Sequence, residues 1–140
     1  MSSDALDAAD RMHLASIHLL RRARREDAKS GTSGARLSAL SVLVYAGPKT
    51  VSELAGWERV KVPTISRLVA GMEDEGLVRK VRNGSDGRSV VLHPTAKGRR
   101  LLDRARELRL SALASLFAGA TPVELETVRA AAAIVDRLLL

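Results

Sequence analysis

The stretch from Lys61 to Arg99 constrains the fold of this chain more than any other. KVPTISRLVAGMEDEG reads as a helix closed by a glycine, and VRKVRNGSDGRSVVLH follows after a single leucine. Two short alternating segments flank Asn83-Gly84-Ser85-Asp86-Gly87, a run of turn formers, so the spacing predicts a β-hairpin directly behind the helix. The hairpin carries Arg79, Lys80, Arg82 and Arg88 against one acid, Asp86. From Leu77 to Arg100 there are seven Lys or Arg and that single acid, whereas the first ten residues hold Asp4, Asp7 and Asp10. Positive charge is therefore gathered into a patch. With a formal net charge of +7 over the chain, polyanions are the favoured partners, nucleic acid before membrane.

A chain of 140 residues can bury a real core, and a single domain over 1–140 is expected. The absence of cysteine excludes disulfides, zinc-finger ligation through thiolates and thiol redox sensing. No apolar run approaches the roughly 20 residues that span a bilayer. The opening MSSDALDAAD lacks the basic start and apolar stretch of a signal peptide, so a cytoplasmic location is expected.

The pattern elsewhere is helical. Leu6, Ala9, Met12 or His13, Ile17 and Leu20 recur at three- and four-residue steps and predict a helix over about 5–28. A second helix is expected over 33–46, burying Leu37, Leu40, Leu43 and Val44, with Gly47-Pro48 as its stop. Thr50-Val51-Ser52-Glu53 fits a capping box and opens a short helix over 51–57. A longer one follows over 62–75, with Pro63 in its first turn, Gly76 as a left-handed stop and Leu77 packing back on Met72. After the hairpin, Thr95 can cap a long helix to about 117. Thr121-Pro122-Val123-Glu124 is a second capping box, opening a last helix to 140.

Residues 51–76 thus divide into a short helix, a tight turn at Glu58-Arg59-Val60-Lys61 and a longer helix. Leu54, Ala55, Val60, Ile65, Leu68 and Met72 have the spacing to pack the pair together. Lys61, Thr64, Ser66 and Arg67 fall near the opposite face of the second helix's N-terminal half, the end that enters a major groove in helix-turn-helix proteins. Arg67 can take guanine O6 and N7 bidentately or hold a phosphate. Thr64 and Ser66 can donate to phosphates or base edges. With the basic hairpin directly behind, the expected fold class is mainly α with a small β-hairpin: a winged helix-turn-helix flanked by N- and C-terminal dimerisation helices.

The ordered set of motifs resembles the MarR (multiple antibiotic resistance regulator) family. It comprises Val51-Ser52-Glu53-Leu54-Ala55, Thr64-Ile65-Ser66-Arg67-Leu68-Val69, Met72-Glu73-Asp74-Glu75-Gly76-Leu77-Val78, Asp86-Gly87-Arg88 and Thr95-Ala96-Lys97-Gly98-Arg99. The resemblance covers nearly the whole chain. It implies a wing arginine, Arg88, that reaches into the minor groove, where narrow A·T-rich tracts attract cations. It also implies an acid, Asp86, that orders the wing by pairing with Arg67 or Arg88, although a plain turn residue is the alternative there. Arg82 and Asn83 at the wing's edge are expected on phosphates. Three features depart from the family pattern: Lys61 stands where a serine cap is usual, Val62-Pro63 replace more polar residues, and His93-Pro94 precede Thr95.

Leu6, Ile17 and Leu20 near one end, with Leu125, Val128, Ile134, Val135, Leu138, Leu139 and Leu140 at the other, offer more apolar surface than a small lobe can cover. A winged lobe over 33–94 and a helical dimerisation region from 1–30 and 95–140 follow. The expected partners are double-stranded DNA, read as a near-palindrome, and a second copy of the chain. The resemblance implies a ligand-responsive repressor whose small aromatic or anionic effector binds where the dimer helices meet the winged lobe. Only Tyr45, Trp57 and Phe117 could stack on a ring, and helical core packing explains each equally well, so no effector residue is assigned.

Arg21, Arg22, Arg24 and Arg25, and likewise Arg99, Arg100, Arg104, Arg106 and Arg109, read as solvated or intersubunit salt-bridged faces, Arg99 being near enough to the wing for a phosphate. His13 and His18, five apart on a helix, point about 140° from one another and cannot share a metal. No cofactor, metal site or catalytic residue is expected: no nucleophile–base order, carboxylate pair, P-loop or dinucleotide fingerprint is present. A sequence-neutral architectural DNA binder is the main alternative. A winged-helix protein-interaction module is the weaker one, because the wing is basic.

Overall fold

The computed structural model describes residues 2–83 and 89–139. In order come α1 (Ser3–Arg24), a 3-10 turn (Asp27–Ser30), α2 (Gly34–Tyr45), α3 (Val51–Glu58) and α4 (Val62–Asp74). β1 (Val78–Asn83), β2 (Ser89–Pro94), α5 (Ala96–Phe117) and α6 (Pro122–Leu139) follow. The architecture is the expected one, mainly helical with a single antiparallel hairpin.

Local chemistry accounts for most boundaries. The Ser33 hydroxyl accepts from the Arg36 amide and starts α2. At α3 both halves of the capping box form: the Thr50 hydroxyl accepts from the Glu53 amide at 3.2 Å, and the Glu53 carboxylate accepts from the Thr50 amide at 3.0 Å. At the end of α4 the Leu77 amide donates to Met72 at 2.8 Å and the Gly76 amide to Glu73 at 2.9 Å. Gly76 takes φ 74, so the Schellman ending holds and Leu77 turns into the core.

The first helix differs from its sequence reading. It stops at Arg24, four residues early, and the chain tightens into i→i+3 bonds: Glu26 to Ala23, Lys29 to Glu26, Gly31 to Ala28. Gly31 at φ 86 closes the turn. The turn buries Asp27 and Ser30, which a continued helix would have carried past the core.

The core lies under the hairpin and between α2, α3, α4 and the first half of α5. Leu37, Leu40, Leu43, Leu54, Ile65, Val69, Met72, Leu77, Val78 and Leu92 are all 2% exposed or less. Truncating such a site, Leu40→Ala for example, costs about 2–5 kcal/mol. Val44 and Leu68 are half-buried, and Val60 is exposed. Val60 therefore does not join the interhelix packing its spacing suggested. The left-handed turn just before it swings the side chain outward.

The hairpin pairs Val78 with Pro94 through to Asn83 with Ser89. It is anchored to the body by a bridge the sequence did not reveal. The Leu92 amide donates to the Lys49 carbonyl at 2.8 Å, and Lys49 returns the bond, so a single antiparallel bridge ties the α2–α3 connection to β2. At the far end, α6 buries none of its residues, and α1 exposes Leu6, Met12, Leu14, Ile17 and Leu20.

Candidate nucleic-acid interface

The helix-turn-helix is held at the bend by an unusual residue. Arg59 caps α3 at φ 55, ψ 41, the only non-glycine residue with positive φ among those described. The conformation lets the Val60 amide reach back to the Ala55 carbonyl at 3.1 Å, closing α3 within one residue. Two side-chain links fix neighbouring helices around the bend. Ser38 donates to the Glu58 carboxylate at 2.8 Å, joining α2 to α3, and Arg36 pairs with Glu75, joining α2 to the end of α4.

Ile65, Val69 and Met72 point α4 inward. At 3.6 residues per turn, Arg67 then sits near the middle of the outward face, with Thr64 and Ser66 about 160° apart on its two flanks. All three side chains are exposed. Lys61 occupies the N-cap with no side-chain cap hydrogen bond, and no acid stands in the first turn. The positive end of the helix dipole and the Lys61 charge therefore reinforce one another. Among the described residues no ion pair forms to Lys61, Arg67 or Arg82, so these cations remain available to an anionic partner.

On the hairpin, Val78, Lys80 and Arg82 share one face with Leu92 and Pro94. Val78 and Leu92 are in the core, and Lys80 comes within 3.9 Å of Glu73 on α4, so this is the face toward the recognition helix. Arg82 is the exposed cation at the far end of that row. Arg79 lies on the opposite face, paired across the strands with His93. The three described basic residues of the hairpin thus divide between two faces. Asn83 ends β1 opposite Ser89, while the expected wing residues Asp86 and Arg88 lie outside the described residues, as does any pairing of Asp86 with Arg67.

A model of the MarR family matches residues 33–90, the helix-turn-helix and hairpin just described. An uncharacterized HTH-type transcriptional regulator of Mycobacterium bovis is 35% identical over 132 residues, 94% of this chain and 92% of the relative. The chain belongs to the MarR family. Among solved structures, a MarR family protein from Bacillus stearothermophilus superposes with a TM-score of 0.79 at 22% identity, covering 99% of this chain and 98% of that one. A MepR mutant from S. aureus bound to an oligodeoxyribonucleotide gives 0.71 at 16% identity, covering 95% and 98%. This MarR chain is a winged helix-turn-helix transcriptional regulator.

In MarR terms, the sequence placed α4 and its exposed face correctly, and the missing side-chain cap at Lys61 is real. Three features of the chain escaped it. Tyr45 and Trp57 are 68% and 60% exposed, so core packing does not explain them; the Lys49 ammonium stands 5.7 Å from the Trp57 ring centroid, while Phe117 is half-buried. The left-handed Arg59 carries no sequence signal, because arginine marks no particular backbone region. Asp27 and Arg109, 82 residues apart, form a bidentate pair that no local pattern could announce. Hydrogen bonding to Asp27 raises the Arg109 pKa and outweighs the lowering effect of burial, and the Asp27 charge adds to the rise. Among the described residues no group of three His, Asp or Glu could hold a metal ion, and no helix is long and apolar enough to cross a membrane.

Proposed function

We propose that this MarR regulator is a sequence-specific, ligand-responsive repressor that binds a near-palindromic operator as a homodimer. The observation that carries the reading is the shared outward surface of α4 and the hairpin. Lys61, Thr64, Ser66 and Arg67 stand exposed on one, with Arg82 exposed on the other and no acid in the first turn of the helix. Arg67 reads a guanine edge or clamps a phosphate, Thr64 and Ser66 donate beside it, and Lys61 approaches the backbone. Arg82 and Asn83 meet phosphates at the wing, Arg88 enters the minor groove and Asp86 orders the loop between them. The oligodeoxyribonucleotide bound to the S. aureus MepR mutant, which shares this fold, supports duplex DNA as the partner.

Dimerisation is supported by α6, which has no fully buried residue in its own chain while exposing Val123, Val128, Ile134, Leu138 and Leu139. A helix with that much bare apolar surface needs a partner, and α1 offers a second such face. Ligand response is supported by a cleft of about 1010 Å³ between α1, α2 and α5, lined by Leu20, Tyr45, Arg24 and Arg106 among others. An aromatic acid there would find a ring to stack on and cations to pair with. It would release DNA only by binding one conformation of the dimer better than the other.

The test is selection of bound fragments from a random-sequence duplex pool. Enrichment of two inverted half-sites about one helical turn apart is expected. A pool without a shared motif, bound with a steep salt dependence, would instead mark an architectural binder.

A further inference from the structure

Asp27 and Ser30 are the only polar residues buried as a whole among the described ones, and both sit in the 3-10 turn where the chain passes from α1 into the winged lobe. Asp27 is 6% exposed. The Arg109 Nε and Nη2 groups on α5 donate to its two carboxylate oxygens at 2.6 and 2.7 Å. A charge this buried is costly unless paired, and a pair of this kind gives little net stability over apolar residues of the same volume. What it supplies is direction. A bidentate guanidinium–carboxylate contact fixes both distance and plane, whereas apolar contact tolerates sliding.

Its position gives that direction a use. The open cleft lies beside it, so apolar packing alone does not fix how α5 sits against the turn and α2. Farther up, α5 is locked to the end of α4. Thr95 donates its hydroxyl to the Gly76 carbonyl at 2.6 Å and its amide to the Leu77 carbonyl at 3.0 Å, and Lys97 reaches the Glu75 carbonyl at 2.7 Å. Arg109 follows Gly98 by eleven residues, about 16 Å along the same rigid helix. One end of α5 thus holds the recognition helix, and its middle is pinned to the turn that joins the lobe to α1.

We propose that the Asp27–Arg109 pair sets the angle between the winged lobe and the dimerisation helices, and through it the separation of the two recognition helices that an operator must match. The inference rests on the dimeric DNA-binding reading above. Asp27 and Arg109 are positioning residues: neither touches DNA, yet both decide which half-site spacing is bound.

Wild type, Asp27→Asn and Arg109→Lys, each as the full chain, are taken through selection from the random duplex pool, with thermal melts and sedimentation alongside. Lysine keeps the charge but loses the planar fork. Wild type is expected to enrich one half-site spacing. Both variants should recover the same half-site sequence but spread over several spacings. A one-base-pair insertion should weaken wild-type binding about tenfold and leave the variants nearly indifferent. A merely stabilising pair would lower the melting temperature without moving the spacing. Unchanged spacing in folded variants overturns the proposal, as does failure of both to fold; if one fails, the other decides. A wild-type pool lacking paired half-sites would overturn the dimeric reading instead.

Discussion

Gly98 has no room for a side chain. A Cβ there would lie 2.2 Å from the Leu77 carbonyl oxygen and 3.0 Å from Leu40 Cδ2, so α5 could not close on the end of α4. Gly98→Ala is expected to cost about 2 kcal/mol or more, since the obstacle is backbone and cannot rotate away. A thermal melt unchanged from wild type would contradict the close approach. Arg59 presents the reverse case. Its left-handed backbone costs an L-residue about 1–2 kcal/mol, so Arg59→Gly should raise the melting temperature, and a lower one would mean that the side chain stabilises the bend. The sequence displayed Gly98 within a motif without disclosing its reason. It hid Arg59 altogether, because backbone strain is a property of the folded bend and not of the residue type.

Elements were legible wherever a local rule governs them. Both capping boxes, the Schellman ending at Gly76 and the proline in the first turn of α4 lie where the residues placed them. The early end of α1 and the Lys49–Leu92 bridge were not, because each depends on a partner far along the chain. At α6 the cap carries a titration. Hydrogen bonds from the Thr121 amide and then its hydroxyl hold the Glu124 carboxyl below the ordinary value of about 4.3. A depressed pKa contributes stability above the unfolded value and loses it as pH falls through the folded one. The helicity gap between wild type and Glu124→Ala should therefore narrow below about pH 4. A gap that is constant from neutral pH down through that window would assign the cap no charge dependence. On the wing, Arg88→Ala is expected to weaken operator binding about tenfold with the dimer intact, and equal affinity at matched salt would remove Arg88 from the minor groove.

At the largest scale, the chain is a closed winged lobe, the head, carried on a base of helices that leave apolar surface bare. The head's core is closed and its outward face is cationic, while α1 and α6 expose most of their large apolar residues. Composition and motif order carried the head, since charge clustering and helix signals survive in one dimension. The surplus of apolar positions at the two ends carried the base. The angle between head and base was not legible, because it turns on a contact spanning 82 residues. Arg67→Ala should lower both affinity and preference for the operator, as a base-reading contact requires. Equal loss on unrelated duplex would restrict Arg67 to phosphate.

If α4 and the hairpin read a particular DNA sequence, an operator and a scrambled duplex must bind with different affinity. Fluorescence-anisotropy titration of the full chain against the selected operator and a scrambled duplex, at about 150 mM salt, measures it most directly. A gap of about a thousandfold or more between the two is expected. Equal binding to both would contradict it.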